Sequence, residues 1–82
     1  MSTTIITRHE VVNGSHLLEL SCGKQSASFW IAPWYVQVRN NNASHRVWRG
    51  MGKRFENLEQ ALDNYKSREM QAMIRAAMAA IQ

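Results

Sequence analysis

The chain has little of several things, and each shortage narrows what it can be. There is one cysteine, Cys22, among 82 residues, which excludes an internal disulfide framework. With no signal-peptide pattern, this leads us to expect a reducing, cytoplasmic setting. There is no long apolar run. The longest helical stretch is interrupted by Lys66, Arg68, Glu69 and Arg75, so no membrane span is expected. Metal-ligand spacing of the Cys-x-x-Cys or His-x-x-x-His kind is missing. His9, His16, His45, Cys22, Glu10 and Glu19 are the only candidates for nucleophile or base, and their spacing fits no catalytic arrangement. We therefore expect no enzyme, no metal and no cofactor. There is no Gly-x-x-x-x-Gly-Lys-Ser/Thr loop, so nucleotide hydrolysis is not expected either.

Acid is also scarce. Six Asp and Glu stand against ten Lys and Arg, for a net charge of +4. Arg46, Arg49, Lys53 and Arg54 fall within nine residues that contain no acid, with His45 beside them. Such a balance favours an acidic partner, either nucleic acid or an acidic protein surface.

Proline and glycine are few enough to act as punctuation. Thr3 to Val12 is rich in β-branched residues, as a strand is. Asn13-Gly14 follows, the pair that a type I′ hairpin turn requires. Ser15 to Cys22 is a second strand, with Leu18, Leu20 and Cys22 on one face and Leu17 and Glu19 on the other. Gly23-Lys24-Gln25 turns the chain again. In Ser26 to Ala32, alternation sets Ala27, Phe29 and Ile31 opposite Ser28 and Trp30. The lone proline, Pro33, marks a turn over Ala32-Pro33-Trp34 or a bend in one long strand. Trp34 to Asn40 is strand four, with Trp34, Val36 and Val38 facing one way and Tyr35, Gln37 and Arg39 the other. Asn40 to Ala43 reads as loop. Ser44 to Arg49 reads as strand five, and Gly50-Met51-Gly52 then ends the sheet.

Beyond Gly52 neither Gly nor Pro appears. Asn57 with Gln60 three residues later has the capping-box pattern. Phe55, Leu58, Leu62 and Tyr65 form one apolar stripe, and Met70, Met73, Ile74, Ala77 and Ile81 a second. The second is rotated by roughly 90 to 100° from the first. Either the helix breaks near Lys66-Ser67, with Ser67 as a new cap, or one straight helix serves two surfaces. The layout is α+β within a single domain, residues 1–82. A small antiparallel sheet of four to five strands (residues 1–50) precedes one long or kinked C-terminal helix (residues 55–82), packed on one face.

Two surfaces stand out. Trp30, Tyr35, Arg39, Arg46 and Trp48 share the sheet face away from the core, continued by Arg49, Lys53 and Arg54. Rings to stack bases and guanidinium groups to meet phosphates suit single-stranded nucleic acid. Met70, Met73, Ile74, Ala77, Met78 and Ile81 form a flexible methionine and alanine surface suited to a partner or a second copy. The sequence thus leads to a small, basic, non-enzymatic nucleic-acid-binding protein, possible as a homodimer, of the phage or plasmid accessory type. The alternative is an interaction module or inhibitor that meets an acidic partner through its C-terminal helix and basic junction.

Overall fold

The computed structural model describes residues 3–40 and 52–81. Five strands run β1 (Thr4–Val12), β2 (Ser15–Cys22), β3 (Gln25–Ile31), β4 (Val36–Asn40) and β5 (Lys53–Phe55). Two helices follow, α1 (Leu58–Asn64) and α2 (Arg68–Ala80). The sheet is antiparallel, and its spatial order is the chain order, β1-β2-β3-β4-β5.

The turns set the register. Asn13 and Gly14 both take positive φ, 52° and 82°, as a type I′ turn demands, and Val12 then pairs with Ser15. Cys22 pairs with Gln25 across the second turn, and Ile31 with Val36 across the third. Ala32 N–H donates to the Tyr35 carbonyl at 2.9 Å, closing the loop around Pro33-Trp34. Thr7 is an extra residue between the Ile6–Leu20 and Arg8–Glu19 pairs, so β1 carries a bulge at its middle. Its hydroxyl donates to the Glu19 carbonyl at 3.0 Å.

Period-two alternation then delivers the core. Leu18, Leu20 and Cys22 of β2, Ala27, Phe29 and Ile31 of β3, and Val36 and Val38 of β4 are all buried on one face. Phe55, Leu58, Ala61, Met70, Met73, Ile74 and Ala77 close over them.

Three expectations are corrected. The strand expected over 44–49 lies outside the described residues, and Gly52 does not end the sheet. Lys53–Phe55 forms β5, pairing with Val36 to Val38. Phe55 is therefore a strand residue, buried, with its ring edge-on to Tyr65 at 6.0 Å. Gly52 makes the approach possible: at φ 91° an added Cβ would lie 2.4 Å from the Val38 carbonyl oxygen. Trp34 does not share the core face of Val36 and Val38. It sits at the tip of the β3–β4 turn, before the alternation of β4 begins, and is 82% exposed.

Of the two helix alternatives the break near Lys66-Ser67 holds, and the third correction is to the surface assigned to the second helix. The two stripes are out of phase because the chain breaks between them. Tyr65 is extended (φ −95°, ψ 132°). Ser67 Oγ accepts from Met70 N–H at 3.0 Å as a new N-cap. Gln71 Nε2 donates to the freed Tyr65 carbonyl at 3.0 Å. Upstream, Asn57 Oδ1 accepts from Gln60 N–H at 2.9 Å. Gln60 Oε1 in turn accepts from the Glu56 N–H at 3.1 Å, one residue earlier than in a standard capping box. Each helix thus presents its own stripe to the core. Met70, Met73, Ile74 and Ala77 are at most 1% exposed, so they belong to the core of this chain and are not open to a partner. Met78 and Ile81 pack partly buried at its margin.

Candidate nucleic-acid interface

The sheet face opposite the helices is built from cross-strand rows. Glu10, Leu17, Trp30, Gln37 and Arg54 lie side by side from β1 to β5. Arg8, Glu19, Ser28 and Arg39 form the next row. Trp30 and Tyr35 are half-buried, while Arg39 and Arg54 are exposed. Tyr35 lies just before β4 and diagonal to Arg54, whose guanidinium sits over its ring at 4.1 Å from the centroid. That distance is a cation–π stack, and it holds a long, flexible side chain against the sheet.

Charge divides this face. Near β1, Arg8 donates to Glu10 and also meets Glu19, with Nη1 3.6 Å from Oε2. The hydrogen bond to Glu10, then that carboxylate's charge, push the Arg8 pKa up from an already high value. Toward β5 the outward residues are Ser28, Trp30, Tyr35, Gln37, Arg39 and Arg54, none of them acidic. The acids therefore sit on β1 and β2, beside a cation. The aromatic and cationic residues share β3 to β5.

The sequence reading of this face is thus partly assembled. Trp30, Tyr35, Arg39 and Arg54 come together. Lys53 does not: adjacent to Arg54 in a strand, it faces the helix side. There its ammonium donates to Asn64 Oδ1 at 3.0 Å and lies 5.7 Å from the Phe55 ring centroid. Arg46, Trp48 and Arg49 lie outside the described residues. Leu17, which alternation sets on the non-core side of strand two, joins the face as well. It pairs with Trp30 and gives the indole an apolar neighbour.

The other chemistry-bearing groups are quickly placed. Cys22 is buried, with a free thiol. His9 Nε2 and His16 Nδ1 are 3.0 Å apart on the helix side of the β1–β2 hairpin. Among the described residues no group of three or more His, Cys, Asp or Glu could hold a metal ion. No described helix is long and apolar enough to cross a membrane.

No protein-family model matches the chain, and neither a curated protein nor a solved structure does.

Proposed function

We propose that the protein is a small, non-enzymatic nucleic-acid-binding protein that takes single strands on the open face of β3 to β5. The observation that carries this reading is the acid-free grouping of Trp30, Tyr35, Arg39 and Arg54 on three adjacent strands. A single strand laid across them can stack a base on Trp30 and set phosphates against Arg39 and Arg54. Base stacking of this kind is worth about 1–3 kcal/mol per base. One buried cysteine and a net charge of +4 fit a cytoplasmic accessory protein of phage or plasmid type.

Fluorescence anisotropy with short labelled oligonucleotides tests this. Binding at micromolar protein in low salt is expected, stronger for single strands than for duplex. Arg54→Glu and Arg39→Glu should each weaken it and flatten the salt dependence by about one unit of slope. Trp30→Ala should weaken it roughly 10- to 100-fold. No binding to either form at low salt ends the proposal.

A second reading, an interaction module for another protein, draws on Trp34. A tryptophan 82% exposed is the kind of side chain that anchors interfaces. Beside its turn is a cleft of about 310 Å³ lined by Ala32, Pro33, Leu58, Met78 and Ile81, with Glu56 and Glu59 also on its wall. Here Trp34→Ala abolishes complex formation while oligonucleotides are ignored.

A further inference from the structure

We infer that β1 is an interface between two copies of this chain, which pair antiparallel, edge to edge, into one continuous ten-stranded sheet.

The case begins with where apolar surface is left uncovered. Of the five exposed large apolar side chains among the described residues, four lie on β1: Ile5, Ile6, Val11 and Val12, at 42 to 64% exposure. Every residue from Ile5 to Val12 is exposed. The strand is nine residues long and terminates the sheet. Among the described residues no strand pairs with its outer edge, which leaves a row of backbone donors and acceptors facing outward. A long apolar strand in that position is a template for further pairing. The usual protections are thin here. No proline interrupts β1, and its charges, Arg8 and Glu10, are paired with each other.

Length and charge then select the occupant. Among the described residues the other terminal strand is β5, three residues long. Head-to-tail pairing of β1 with β5 would leave most of β1 bare. A second β1 matches it. Arg8 and Glu10 are two residues apart on the outer face. A two-fold axis at His9 sets each Arg8 opposite the other copy's Glu10, two complementary pairs. Parallel in-register pairing would set like charges together instead. About that axis Val11 and Val12 come opposite Thr7 and Ile6 of the other copy, so the exposed apolar residues meet across the bulge and only Arg8–Glu10 lies in the straight stretch of both copies. The interface is isologous and closes on itself, so it yields a dimer and not a fibre. Both helical layers fall on the same side. The β3–β5 surfaces of the two copies lie at opposite ends of the joined outer face. The inference stands independently of what those surfaces bind.

Sedimentation equilibrium from low micromolar to several hundred micromolar tests it, with a charge swap to fix the register. The wild type should be a dimer at the upper end. Glu10→Arg should weaken self-association about tenfold, because two attractive cross-strand pairs become repulsive. Arg8→Glu with Glu10→Arg should restore it. A third variant, His9→Cys, should form a disulfide-linked dimer under mild oxidation. Directly opposed residues in an antiparallel pair fall within disulfide range, and Cys22 is buried. Thermal melts of each variant show that the monomer fold survives. A wild type that stays monomeric throughout, or forms open-ended polymers, overturns the inference. So does a dimer indifferent to Glu10→Arg, or a His9→Cys variant that stays unlinked while dimeric.

Discussion

Two glycines with the same backbone sign but different surroundings separate strain from steric contact. Gly52 (φ 91°) and Gly14 (φ 82°) both occupy the left-handed region. An alanine in that region costs about 1–2 kcal/mol whatever surrounds it. At Gly14 nothing lies within 4 Å of the added Cβ, so Gly14→Ala should cost that much and no more. At Gly52 the Cβ would meet Val38 O at 2.4 Å, Val38 C at 2.8 Å and Arg39 Cα at 2.9 Å. All three are backbone atoms of a strand held on both sides, so no rotamer change relieves them. β5 must move away by about 1 Å, which loosens its short ladder and lifts Phe55 from the core. We expect Gly52→Ala to cost about 2–4 kcal/mol. A chain of this size is stable by about 4–12 kcal/mol. Each kcal/mol shifts Tm by about 4–8 °C, so the two variants should melt well apart. Urea or thermal denaturation followed by circular dichroism measures both. Equal losses at the two positions, or no loss at Gly52, would refute the claim that β5 is held against β4 by this close approach.

Three further outcomes are expected. Asn57→Ala and Ser67→Ala each remove one N-cap acceptor and should cost about 1 kcal/mol, additively, since the caps serve different helices; urea midpoints of the single and double variants check this. Met73→Asp buries a carboxylate at a fully enclosed position and should abolish the folded circular dichroism signal, rather than release a folded monomer from an assembly. Tyr65, half-buried, has its pKa raised by desolvation, so the folded chain disfavours its phenolate. Stability is full below the unfolded tyrosine pKa of about 10 and is lost as pH rises through the higher folded value; comparing urea midpoints at pH 8 and pH 11 shows the loss, and Tyr65→Phe should reduce it.

Much of the fold was legible because turn chemistry and alternation are local. Asn13-Gly14 allows one hairpin register, and that register places Leu18 and Leu20 on the same face as Phe29. The caps at Asn57 and Ser67 were legible for the same reason, since a side-chain acceptor three residues from its donor is a sequence-range interaction. What failed was non-local or too short. Three residues cannot display a period of two, so Lys53–Phe55 carries no strand signal of its own. Gly52 looked like a stop signal because the sequence does not reveal that Val38 lies against it. An apolar stripe has the same composition whether it meets its own sheet or another chain, so sequence alone does not tell that Met70, Met73, Ile74 and Ala77 lie in the core. Lys53 and Arg54 looked like one basic group, and the pleat of β5 puts them on opposite faces. Trp34 fits a strand's alternation in sequence, yet it belongs to the turn before Val36.

The order of the sheet also dictates an order of assembly. Every strand pairs with its neighbour in the chain, so each ladder can form as a local hairpin at small entropic cost. The cover is different. α2 reaches back to β1, β2 and β3, and it follows all of them in the chain. As the polypeptide emerges from the ribosome, Leu18, Leu20, Phe29, Ile31, Val36 and Val38 can therefore be in place as a strand face before Met70, Met73, Ile74 and Ala77 have emerged to cover it. For that interval the nascent chain shows a broad apolar surface to the cell. Such transiently exposed apolar surface is prone to aggregate, and it stays open until residues 68–80 follow.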